Sequence, residues 1–194
     1  MIVQIVDVET TGLNPDRNQI LEIAAIRINP WRPEEIISHF HDVVRYEELV
    51  GHPAAFHINA RLIEGMARND GTHNTLKEAI QNLELWLDAM PLVDGEKLVM
   101  SGKNPGFDRA FLTAAGLDLN RWHHRMVDPA ILFMAVGDKV PPALKECLTR
   151  AGLKGFTDTL HIATDDCWDI ARLLWSYYCD VKVDLTFMDF LETQ

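Results

Sequence analysis

The feature that most constrains this chain is an apolar run that ends on two carboxylates. Residues 2–8 read Ile-Val-Gln-Ile-Val-Asp-Val, the composition of a buried strand. Residues two apart on a strand project to the same face, so Asp7 and Glu9 point one way at its C-terminal end. Two like charges side by side repel unless something positive sits between them. The turn Thr10-Thr11-Gly12 that follows lets backbone approach a ligand closely. Taken alone, the pair reads either as a strand fraying into an acidic loop or as part of a cation site.

The chain has 194 residues, 47% of them hydrophobic and 24% charged, enough to bury a sizeable core. We expect one domain over residues 1–194. With 18 basic against 29 acidic residues, the formal net charge is −11. That excludes a wrapper of long nucleic acid, which works by neutralising many phosphates. It also argues against binding to anionic membranes. No apolar run reaches the ~18–20 residues of a membrane span, and no signal peptide is evident at the start. The three cysteines, Cys147, Cys167 and Cys179, have no CxxC spacing. They read as reduced, buried or half-buried residues, so a cytoplasmic location is expected.

Further strands are predicted at 19–28 and near 36–44, closing an antiparallel meander with the first. A helix over 75–90 follows, with Leu76, Ile80, Leu83, Leu87 and Met90 on one face and Thr72 or Asn74 as its cap. Residues 97–101 form a fourth strand. A helix over 105–115 has Asn104 as N-cap, Pro105 at its first position and Gly116 as its stop. Residues 125–128 are expected as a fifth strand leading into a helix over 129–136, with Asp128 capping it. Helices near 142–151 and 163–178 complete the chain. The order β-β-β-α-β-α-β-α-α-α implies an α/β domain whose helices cover a five-stranded mixed sheet, three strands antiparallel and two parallel.

Two other segments carry carboxylates at helix starts. Asp108 stands in the first turn of the 105–115 helix, just off the stripe formed by Phe107, Phe111 and Leu112. An acid there also fits a plain helix-dipole partner. Asp166 opens the last amphipathic helix, five residues after His161, with Asp165 and Asp169 as competitors for its role. Four carboxylates on one site would need divalent cations beside them. Oxygen-only ligation suits Mg²⁺ or Mn²⁺, and two such ions ~3.5–4 Å apart drive in-line phosphoryl displacement.

These segments together resemble a known family. Ile5-Val-Asp-Val-Glu-Thr-Thr-Gly-Leu13, Asn104-Pro-Gly-Phe-Asp-Arg-Ala-Phe-Leu112 and His161-x-Ala-x-x-Asp166 are similar, in order, to the three motifs of the DEDDh 3′→5′ exonucleases. That branch includes proofreading subunits, RNase T and oligoribonuclease. The resemblance implies an RNase H-like fold and release of nucleoside 5′-monophosphates from a single-stranded 3′ end. It implies two divalent cations held by Asp7, Glu9, Asp108 and Asp166, with His161 as general base. It also brings Thr10, Leu13, Asn104 and Phe107 to the terminal nucleotide, Leu13 as a wedge against its base. Phe107 reads equally as a core residue. A homodimer or a polymerase partner fits the branch.

Some positions depart from the family pattern. The usual His-Asn of the second motif is here Gly102-Lys103-Asn104, in which Lys103 is either a phosphate contact or a loop lysine. Phe56-His57-Ile58-Asn59 loosely resembles the substrate-side segment. His39, His41, His123 and His124 read as non-catalytic. A non-catalytic nucleic-acid or polymerase-binding module on the same fold, and a two-metal phosphohydrolase of mononucleotides, are the alternatives. A degenerate module should have lost a ligand, and none is missing. Two divalent cations would lift the charge only to −7, so a nucleic-acid substrate is expected to be gripped over a short footprint.

Overall fold

The computed structural model describes residues 2–33, 36–68, 73–89, 97–155 and 162–179. Strands β1 (Val3–Thr10), β2 (Ile20–Ile28) and β3 (Ile36–Val43) are followed by helices α1 (Pro53–Ile58), α2 (Ala60–Arg68) and α3 (Leu76–Asp88). Then come β4 (Val99–Ser101), α4 (Pro105–Ala114), a 3-10 turn (Pro129–Phe133), α5 (Leu144–Ala151) and α6 (Ala163–Cys179). The sheet order is β3-β2-β1-β4. β1 pairs antiparallel with β2 and parallel with β4, and β2 pairs antiparallel with β3.

Strand alternation divides the core between the two faces of this sheet. Val6, Val8, Ile23 and Ala25 pack with Ile80, Leu83 and Leu87 of α3 and with Phe111 and Leu112 of α4. Val3, Ile5, Ala24, Ile26 and Ile28 pack on the other face with Cys167, Ile170, Leu174 and Trp175 of α6. Covering both faces leaves β1 and β2 buried along almost their whole length, which is why they read as nearly continuous apolar runs. Among the described residues, no helix is long and apolar enough to cross a membrane.

The five-stranded expectation needs correction: among the described residues the sheet has four strands. The segment expected as a fifth strand contributes one parallel bridge, Val127 to Ser101. Arg125 N–H turns back to His123 Nδ1 at 3.0 Å, and Asp128 is taken up by capping, with Ala130 N–H donating to Oδ1 at 2.9 Å. Proline at 129 then removes the next donor, so no ladder extends. The helix expected over 129–136 is the short 3-10 turn.

The cap of α3 is Thr75 rather than Asn74, and Thr72 lies outside the described residues. Thr75 Oγ1 accepts from Glu78 N–H at 3.3 Å while Glu78 accepts from Thr75 N–H at 2.8 Å, a reciprocal capping box. Asn104 holds the N-cap position of α4, but its side chain makes no capping bond and its backbone is left-handed at φ 56°. Helices α1 and α2 were not expected from the sequence.

Candidate active site

The site forms where β1 leaves the sheet. Glu9 pairs with Glu22 of β2, and the register shifts between Glu9 and Thr10, a bulge that bends the chain out of the ladder. On the other side β4 ends at Ser101, opposite Ile5. Val8 N–H therefore needs a partner other than β4, and Asp108 Oδ1 accepts it at 3.0 Å. Gly102 makes the close approach possible, since a Cβ there would stand 2.9 Å from Val6 O. In this way α4 is tied to β1 next to Asp7.

From the opposite face α6 brings Asp166 in its first turn. One carboxylate oxygen each of Asp7, Glu9 and Asp166 lie within 4.8 Å of one another. Glu9 and Asp108 are buried, and Asp7 and Asp166 are partly open. This all-oxygen donor set suits a hard divalent cation with bonds of about 2.0–2.6 Å. Asp108 does not join the 4.8 Å group, but it lines the same cleft.

Burial and mutual repulsion disfavour ionisation here. Burial, then the charges of Asp108, Asp166, Glu9 and Glu22, push the Asp7 carboxyl well above its usual range. Burial, then Asp166 and Glu22, raise Glu9 to about 8. Burial raises Asp108 to about 7 against the lowering pull of Val8 N–H, and burial with Asp169, Asp165 and Glu22 raises Asp166 to about 7. Four acids that hold protons near neutrality are the electrostatic signature of a site short of positive charge.

The cleft above them is about 320 Å³, at the small end of ligand clefts. Thr10, Leu13, Asn59, Lys103, Asn104 and Phe107 line it with the acids. Leu13 is 85% exposed at its mouth. Phe107 is half-buried, its ring 4.9 Å from that of Phe111, so it serves the core and the cleft at once. The structure thus brings together all the expected acids and substrate-side residues, while His161 lies outside the described residues. Asp169 is not a rival to Asp166: it is buried and ion-paired to Arg172 at 2.7 Å.

Sequence reasoning missed Glu22 and named Asn59 only within the loosely matching segment 56–59. Asn59, at the junction of α1 and α2, donates from Nδ2 to Thr10 O at 3.1 Å, and its amide lowers the proton affinity of Glu9. Glu22 is fully buried on the same face as Glu9. Its signal was a lone acid inside an otherwise apolar stretch of β2, since a charge is buried only where partners await it. Those partners are His41 Nε2 at 2.8 Å and Arg61 at 3.1 Å.

Residues 5–174 match the family model described as Exonuclease. Among solved structures, the nuclease domain of 3′hExo, described as a DEDDh family member bound to rAMP, is similar at TM-score 0.68 and 18% identity, over 93% of each chain. A 3′-exonuclease described in 3′-end specific recognition of a histone mRNA stem-loop is similar at TM-score 0.68 and 18% identity, over 93% of this chain and 83% of that one. Exonuclease I of E. coli with ssDNA is similar at TM-score 0.67 and 15% identity, over 99% of this chain but 43% of its own. The chain thus spans under half of exonuclease I. Among curated proteins no sequence matches. With the family model matched along most of its length, the chain belongs to the exonuclease family.

Proposed function

We propose that this protein is a divalent-cation-dependent 3′→5′ exonuclease that hydrolyses single-stranded DNA or RNA to nucleoside 5′-monophosphates. The observation that carries the reading is the convergence of Asp7, Glu9 and Asp166 within 4.8 Å in a cleft also lined by Leu13, Ile58 and Phe107. Asp7, Glu9 and Asp166 would hold the cations, with Asp108 completing the acid cluster. When bound, two divalent cations increase the acidity of the attacking water and stabilise charge on the leaving 3′-oxygen.

The remaining work falls to the chain's own residues. His161 takes the proton of the attacking water, a task that suits an imidazole neutral near pH 7. Leu13 wedges against the terminal base and Phe107 forms a second apolar wall. The bulged backbone at Thr10 meets the sugar. Asn104 and Lys103, beside Asp108 in the cleft, face the phosphate side. A chain of net charge −11 has little capacity for phosphate neutralisation beyond this point, so the footprint is a few nucleotides.

The test is a product time course on matched 3′-labelled and 5′-labelled single strands, DNA and RNA, with Mg²⁺ or Mn²⁺. We expect immediate release of labelled mononucleotide from the 3′ label, a ladder from the 5′ label, and silence in EDTA. Release of the 5′ label first, or internal cuts, would overturn the reading.

A further inference from the structure

Helix α6 starts from a residue whose own side chain cannot cap it. Asp166 N–H donates to Ile162 O at 3.0 Å, which puts Ile162 at the N-cap position, and isoleucine has no side-chain oxygen to offer. The acceptor comes instead from 141 residues away: Ala163 N–H donates to Glu22 Oε2 at 3.1 Å. Asp166 follows Ala163 by three residues, within the same first turn. Glu22 also stands opposite Glu9 in the β1–β2 register. One carboxylate is thus joined to two of the three clustered acids, to Glu9 through the sheet and to Asp166 through the helix start.

Glu22 is itself held in place. Its Oε1 meets His41 Nε2 at 2.8 Å, and Arg61 of α2 reaches Oε1 at 3.3 Å and Oε2 at 3.1 Å. Burial alone would push its carboxyl up, but the His41 hydrogen bond, Arg61 and the Ala163 N–H outweigh that and hold it below the usual range. All of its hydrogen-bonding capacity is committed to protein groups, and Glu22 does not line the cleft. It is therefore placed to act through other residues.

We propose that Glu22 is a positioning residue, locked by Arg61, that fixes the first turn of α6 and so sets Asp166 against Asp7 and Glu9 for cation binding. This rests on the reading of the acid cluster as the cation site. Groups that orient ligands in this way change metal affinity by about 10–100-fold when removed.

The test is direct Mn²⁺ binding to the full chain, by calorimetry or by loss of the free-ion EPR signal, together with thermal melts and hydrolysis at rising Mn²⁺. We expect Glu22→Ala to bind Mn²⁺ at least about tenfold more weakly and to regain part of its rate at high Mn²⁺. Glu22→Gln keeps an acceptor for Ala163 N–H, so it should stay within about threefold of wild type, well inside the range for a lost positioning group. Arg61→Ala, at a half-exposed site with His41 and Ala163 N–H still holding Glu22, should weaken Mn²⁺ by severalfold and covers the case in which Glu22→Ala does not fold. Wild-type Mn²⁺ affinity in folded Glu22→Ala, or in Arg61→Ala, would overturn the proposal and leave the cation site standing. Glu22→Gln as weak as Glu22→Ala would also overturn it, since charge rather than anchoring would then be the cause. A wild type that binds no Mn²⁺ would remove the cation site itself and this proposal with it.

Discussion

Asp108 Oδ1 accepts a 3.0 Å hydrogen bond from Val8 N–H, one hundred residues earlier in the chain. This bond satisfies a strand donor that β4 is too short to reach, and it sets a carboxylate beside Asp7. The two duties can be separated. Asp108→Asn keeps an oxygen for Val8 and removes a charge that burial already disfavours. We expect this variant to melt no lower than wild type without cation, and to lose about 100-fold or more in hydrolysis, on the scale of a lost electrostatic group. Asp108→Ala should also lose activity but melt lower, because an unpaired buried N–H costs about 1–3 kcal/mol. Equal melting of the two variants would remove the structural duty.

The raised acids make the cation-free protein sensitive to base. Glu9 lies at about 8, Asp108 and Asp166 at about 7, all above ordinary carboxylate values. A group whose folded pKa is raised binds its proton more tightly in the folded chain. Its stabilising share is complete below the unfolded value, near 4, and is lost as pH rises through 7 and 8. In EDTA, the melting temperature should therefore fall between pH 6 and pH 9, at about 2–4 °C for each kcal/mol lost. Mn²⁺ should cancel most of the fall, and the Asp7→Asn, Glu9→Gln double variant should make it shallower, with Asp108 and Asp166 carrying what remains. A flat profile in the wild type would contradict the electrostatics of the empty cluster.

Leu13 tests the wedge. It is 85% exposed, so Leu13→Ala should change stability by no more than about 0.5 kcal/mol. Loss of its contact with a terminal base should raise KM by about tenfold with a smaller change in kcat, the expected size for one apolar contact. Steady-state kinetics on a short single strand decide the point, and an unchanged KM would take Leu13 out of the substrate site.

Asp166 and Asp169 lie three residues apart on α6 and have opposite duties. Asp166 opens onto the cleft, whereas Asp169 is buried against Arg172, whose Nη1 also donates to Lys154 O at 2.8 Å. Asp166→Asn should leave melting unchanged or raised and abolish turnover. Asp169→Ala breaks a buried ion pair by removing its carboxylate and should cost about 3–5 kcal/mol. Melting curves and a rate assay on both variants check the assignment, and the reverse pattern would exchange the two roles.

Parts of this architecture that depend on short spacings were legible in the sequence. The alternation of Asp7 and Glu9 put both acids on one strand face, and the apolar stripe of α4 placed Asp108 near a helix start. What depended on distant partners was not legible. Glu22 is an acid in a buried strand, but nothing nearby in sequence announces Arg61 or the Ala163 N–H. Helices α1 and α2 escaped because at 6 and 9 residues they are shorter than the roughly 11–18-residue window over which a helical period can be counted. The fifth strand failed for the opposite reason. Its apolar residues were real, but Val127 alone bridges β4 while Asp128 turns to capping.

In the proposed function, the acid cluster binds divalent cations and releases nucleotides from a 3′ end. The most direct measurement is release of nucleoside 5′-monophosphate from a single-stranded 3′-hydroxyl oligonucleotide in Mn²⁺, comparing wild type with folded Asp7→Asn. We expect steady release by wild type, abolished by EDTA, and none above background from Asp7→Asn. Undiminished release by the variant would contradict the account.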